Sequence, residues 1–226
     1  IIYPLVGLFL ARLAFGYQVL PLLFPLIAGY ALIGPFAAIG LYEMSRQREQ
    51  GREISWTDAF AVLRCPSLDA IGALGFVLMV VFVIWLAVAL WLYDGLFGSE
   101  MPTSISQFLT EIFTTSRGWT LIIVGHLLGL VFAVVAFTIG VISFPLLVDR
   151  DVGAVVALQT SVRAVLANPV PMAVWGFIVG AALAIGSLPF FIGLAVAMPV
   201  LAHATWHIYR KVVERPAGGR PVASSA

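Results

Sequence analysis

The chain has 226 residues, of which 62% are hydrophobic and only 10% charged, and its mean hydropathy is +1.06. A water-facing domain of ordinary composition carries about 25% charged residues, so this composition excludes a soluble globular domain and points to a bilayer as solvent. A net charge of +1, with no dense basic cluster, argues against nucleic acid as a partner. The single cysteine, Cys65, excludes an intrachain disulfide and a cysteine-based zinc site.

In chain order, apolar runs near the required length of about 20 residues predict six spanning helices. They cover residues 1–17, 20–42, 71–93, 119–148, 172–187 and 189–209. The first is short, which predicts further residues before Ile1. The fourth is long and is expected to bend at Pro145. The fold class expected is therefore an all-α membrane protein. Residues 1–209 form one transmembrane domain of three helical hairpins, followed by a tail over 210–226.

Loop charges set the expected orientation. Arg46, Arg48, Arg52 and Arg64 lie between spans two and three, Arg150 and Arg163 between four and five, and Arg210, Lys211, Arg215 and Arg220 after span six. Only Arg117 lies on the other side. Counting Lys and Arg alone, the 43–70 loop, the 149–169 loop and both termini are expected in the cytoplasm. Arg12, inside the first span, is close enough to the outer end to snorkel.

The loops carry helical periodicity of their own. Trp56, Ala59, Phe60 and Leu63 recur at helical spacing after Ser55 and Asp58, which read as a capping pair. Val155, Leu158, Val162 and Val165 repeat the pattern, as do Ile105, Phe108, Leu109 and Ile112 after Ser104 and Gln107. These three segments either lie in the membrane interface or pack on the bundle. Val62-Leu63-Arg64-Cys65-Pro66 and Val165-Leu166-Ala167-Asn168-Pro169 both end such a segment and lead into a span, an internal echo matched by Pro35, Pro145 and Pro199 near the ends of even-numbered spans.

Chemistry has few places to reside. His203 and His207 share a helix face at the spacing of a two-histidine metal pair, yet no third ligand stands nearby in sequence. His126, the one other histidine, sits about 10 Å from the outer end of its span and His203 about 21 Å, at 1.5 Å per residue, so the two do not share the depth of one haem axis. Asp149, Arg150 and Asp151 form a polar cluster at a helix end, suited either to cation or acid–base chemistry or to capping the next helix, with Arg150 at the lipid headgroups. The eleven acidic residues all lie in loops or at helix ends, whereas coupled transport needs charge at mid-depth. Gly125-x-x-x-Gly129 and Gly176-x-x-x-Gly180 have the spacing of close helix contacts.

In three blocks, residues 32–43, 143–151 and 193–210, the chain resembles a family of bacterial integral membrane proteins of unknown function, common in proteobacteria. Some members bear labels resembling respiratory oxidase subunits. The resemblance extends over nearly the whole chain and implies an inner-membrane location without implying an activity. The oxidase label finds no support in the number and depth of the histidines. The sequence is thus expected to encode a non-catalytic inner-membrane protein, an accessory or structural subunit of a larger membrane complex, bioenergetic in the case of the oxidase label. A facilitator or a lipid- or small-molecule-binding protein acting alone is the alternative. No cofactor is expected, bound lipids are, and the expected partners are lipids and other membrane subunits.

Overall fold

The structure, a computed structural model, describes residues 34–53, 55–98, 104–188 and 192–213. Helix α1 spans Gly34–Glu49 and is followed by a 3-10 helix, Trp56–Arg64. Helix α2 spans Leu68–Phe97, α3 Ile105–Thr114, α4 Ser116–Gly140 and α5 Ser143–Asp149. Then come α6 (Ala154–Ala167), α7 (Pro169–Ser187) and α8 (Leu194–Val212). Three helical units among the described residues are long and apolar enough to cross a membrane: Leu68–Phe97, Ser116–Asp149 and Pro169–Ser187. They coincide with the third, fourth and fifth expected spans.

The expected span at 1–17 and most of that at 20–42 lie outside the described residues, as does the tail from 214 onward. Helix α1 does not stop at Tyr42 as expected but runs on to Glu49. The extension is held by side chains one turn apart. Glu43 accepts from Arg46 at 2.7 and 2.8 Å and from Gln47 at 2.8 Å, pairs that favour helix beyond the last apolar residue. Helix α8 occupies the sixth expected position, but its second half carries His203, His207, Arg210 and Lys211, and it is not among the three apolar spans.

The fourth expected span, found at Ser116–Asp149, breaks where proline chemistry requires. Pro145 has no N–H to give the Val141 carbonyl, and the helix is interrupted at Val141 and Ile142 before α5 begins. The gap is filled from α6. The Ser161 hydroxyl donates to the Thr138 carbonyl at 2.6 Å and accepts from the Ile142 N–H at 3.2 Å, so it stands in the place of one ladder bond. Ser143 in turn donates to the Ala157 carbonyl at 3.1 Å. Ile142, Ser143 and Ser161 are fully buried, so these backbone groups have no water to turn to.

Helix α2 packs along α4, and α7 along α8. Glycines permit the closest approaches. A Cβ at Gly129 would lie 3.3 Å from the Trp85 ring, and one at Gly176 3.8 Å from Phe137. Among the described residues Gly180 meets nothing within 4 Å, so there only one member of the second glycine pair makes a contact. Gly186 and Gly193 close the α7–α8 connection backbone to backbone, with 2.8 Å between a Gly193 Cβ and the Gly186 Cα. The buried core gathers where α5 is enclosed by α1, α6 and α8: Ile142, Phe144, Leu147, Trp206 and Tyr209 have no exposed surface.

Each amphipathic segment packs on a neighbouring helix: the 3-10 helix on α1, α3 on α4, and α6 on α4 and α5. Helix α6 packs on the bundle, with Ala157, Ser161 and Ala164 buried. The 3-10 helix starts with the expected capping box, Asp58 accepting from the Ser55 N–H at 2.8 Å, but it is wound more tightly than the α-helix expected. It leaves Phe60 57% exposed. At the far end Ser104 caps α3 by accepting from the Gln107 N–H, while Phe108 reaches Tyr93 and Arg117 lies 5.6 Å from the Phe97 ring.

Candidate functional site

The loops expected on one side of the membrane do meet at one end of the molecule. Three elements distant in sequence converge there: the end of α1, the α5–α6 link and the end of α8. Arg210 of α8 bonds Glu49 of α1 at 2.8 and 2.9 Å and Asp149 of α5 at 3.1 Å. The Tyr209 hydroxyl donates to the same Asp149 oxygen at 2.6 Å, and Arg150 reaches it at 3.4 Å. Asp149 is thus surrounded by donors on a ring that is itself fully buried at Tyr209. Arg210 lies 5.7 Å from the Trp206 ring, which covers the inner side of the pair.

Charge is held in place here. Partial burial works against the Arg210 cation, but the Glu49 bond and the fields of Asp149 and Glu49 outweigh it and raise its pKa above the usual guanidinium range. Arg46 is raised as well, first by its hydrogen bond to Glu43 and against a smaller opposing effect of burial.

Asp151, expected as a candidate cap, does not cap α6. The residue before that helix is Gly153, whose φ of 76° suits glycine, and no side chain caps its first amides. Asp151 and the Arg150 carbonyl instead accept from Ser67 at 3.4 Å, tying the link to the start of α2. Cys65 lies 3.9 Å from the Leu147 carbonyl on the same seam.

Between these elements is a chamber of about 410 Å³. Its charged lining consists of Arg46, Arg52, Arg64 and Arg150 with Glu43, Asp149 and Asp151. Gly40 brings one wall close, since a Cβ there would come within 2.8 Å of the Ala59 carbonyl on the 3-10 helix. The expected cluster Asp149, Arg150 and Asp151 therefore contributes to this chamber as a unit. Glu43, Glu49, Ser67, Tyr209 and Arg210 complete its surroundings and were not singled out from sequence as site residues. Tyr209 reads there as an interfacial aromatic, and no local pattern reports that its hydroxyl reaches a residue 60 positions away.

The histidine pair lies elsewhere on α8. His203 Nδ1 is 2.6 Å from the Ser45 hydroxyl, which also donates to the Leu41 carbonyl at 2.8 Å. His207 is exposed. Among the described residues no group of three His, Cys, Asp or Glu side chains is placed to hold a metal ion.

No curated protein and no solved structure matches the chain. A family model does match, over residues 22–149, which is more than half of the chain. The match takes in the first two expected blocks of resemblance apart from the last residues of the second, but not the block at 193–210, so it is shorter than the nearly full coverage expected. Its limits run from the second expected span through α5 to Asp149, the residue on which the ion pairs at the chamber converge. The protein is a member of the DUF2189 family of predicted integral membrane proteins.

Proposed function

We propose that this is a non-catalytic, six-span protein of the bacterial inner membrane that binds a lipid or small molecule at its basic end. The chamber of about 410 Å³ supports the reading, because it is a concave polar space built by three separate elements beside the start of a spanning helix. The ion pairs around it hold its walls, as a preformed binding space requires. The protein purified in mild detergent should retain a stoichiometric small ligand in native mass spectrometry. A ligand-free protein that takes up neither lipid nor small anions would overturn the reading.

In this proposal the chamber faces the cytoplasm, as do both termini. Reporter fusions within residues 43–70, within 149–169 and at the C-terminus should all report cytoplasm, and fusions within 94–118 should report the other side. A cytoplasmic signal from 94–118 would reverse the assignment.

A second reading, an accessory or structural subunit of a larger membrane complex, draws on α7. Of its apolar window only 11% is buried within the chain, against 28% for α2 and 39% for the α4–α5 unit. A helix with so little cover among the described residues offers a face to another one. Cross-links placed on exposed Val174 and Phe177 should then capture a second membrane protein in stoichiometric yield, and lipid adducts alone would remove this reading.

A further inference from the structure

The chamber's charges are not equally engaged. Glu43 is held by Arg46 and Gln47, Asp149 by Tyr209, Arg210 and Arg150, and Asp151 by Ser67. Each carboxylate has donors from within the chain. The guanidinium groups of Arg52 and Arg64 are different. Both line the chamber, and among the described residues neither forms an ion pair or hydrogen bond. With four arginines against three carboxylates, the charged lining has a net positive charge.

We infer that Arg52 and Arg64 bind a phosphate group in this chamber, that of an anionic phospholipid headgroup. This rests on the proposed binding role and names its ligand. Guanidinium forks match phosphate oxygens in pairs, and their charge does not depend on pH in the physiological range. Depth selects the phospholipid. Pro66 and Ser67 line the chamber, and Leu68 immediately afterwards begins the apolar helix α2, so the space lies at the level where hydrocarbon gives way to headgroups. Phe60 and Leu68 are exposed beside it, at 57% and 39%, where acyl chains would cover them.

The test uses the full chain in nanodiscs of zwitterionic lipid, titrated in parallel with phosphatidylglycerol and with inorganic phosphate. The variants are Arg52→Gln/Arg64→Gln and, as a control of equal charge, Arg48→Gln/Lys211→Gln. The control residues share the basic end but do not line the chamber. Losing two charge-assisted contacts should weaken phosphatidylglycerol binding on the order of a hundredfold, while the control stays within about threefold. Inorganic phosphate binding as tightly, with the same dependence on Arg52 and Arg64, would keep the phosphate site and assign it to a soluble ligand. Lipid binding equal in wild type and the chamber variant would overturn the inference and leave the binding role standing. Failure of the wild type to bind any of the probes would overturn both. Circular dichroism of the variant separates lost binding from lost fold.

Discussion

The basic end of the molecule and its apolar spans are built on different physical principles. At the basic end, residues far apart in sequence are joined by hydrogen bonds and ion pairs: Glu49 and Asp149 to Arg210, Ser45 to His203, Ser67 to Asp151. Across the spans, α2 and α7 expose Phe76, Val83, Phe177 and Ile185 and meet their neighbours chiefly through apolar packing and glycine contacts. The first region depends on particular atoms, the second on shape and small residues. Substitutions should therefore separate them.

The largest effect is expected at Asp149. Asp149→Ala removes the acceptor of Tyr209 and one of the two carboxylates of Arg210, leaving a fully buried hydroxyl without its partner. A loss of about 3 kcal/mol in unfolding free energy follows from an orphaned donor together with a broken, partly buried pair. It can be measured by thermal or denaturant unfolding in detergent. An effect below that of a typical surface substitution would mean that the basic end is not held by this residue.

Ser161→Ala should come next, at about 2 kcal/mol, because it strands the Ile142 N–H and the Thr138 carbonyl at the break in the fourth span. Ser161→Thr keeps the hydroxyl and should recover part of the loss, unless the added methyl is too large for a site with no free surface. Amide exchange at Ile142 reports the change directly and should be faster in the alanine variant alone.

These two residues also mark the limit of what was legible in the sequence. Apolar run length reports burial in lipid, so the spans at 71–93, 119–148 and 172–187 were evident, as was the disturbance near Pro145. Local hydrogen bonding is written in short motifs, hence the capping box of Ser55 and Asp58. The chamber is not local. Asp149, Arg150 and Asp151 stood out as charges beside a span, but their partners come from α1, α2 and α8. No periodicity encodes a contact between Glu49 and Arg210. Ser161 was not singled out in its amphipathic segment, and its role arises only when α6 is laid against the break. The extension of α1 to Glu49 escaped because an apolar pattern ends at Tyr42, whereas the helix continues on side-chain pairs.

Glycine spacing gives a smaller and more discriminating contrast within the spans. Gly129→Leu should cost about 1–2 kcal/mol, because the added side chain meets the Trp85 ring between α2 and α4. Gly180→Leu meets nothing within 4 Å among the described residues and should be neutral or slightly stabilising, since glycine is a poor helix former. Equal losses at the two positions would show that Gly180 meets a surface from outside the described residues, and would strengthen the subunit reading for α7.

The smallest effect is expected at the histidines, and its value lies in being small. His203 Nδ1 is engaged by Ser45, so only one ring nitrogen remains for any ligand, and His207 points from an exposed position one turn away. A metal held by two side chains needs further donors, and no suitable group of three is assembled among the described residues. His203→Ala should cost about 1 kcal/mol or less, because the Ser45 hydroxyl retains the Leu41 carbonyl and is not orphaned. The double substitution with His207→Ala should leave metal content and the visible absorption spectrum of the purified protein unchanged. Because the pair lies on the same helix as Tyr209 and Arg210, a loss of fold would be reported by their contacts to Asp149, so unfolding must be measured alongside. A stoichiometric metal or a Soret band in the wild type that disappears in a folded double variant would restore the histidine pair as a site, and would place chemistry on α8 rather than in the arginine-lined chamber.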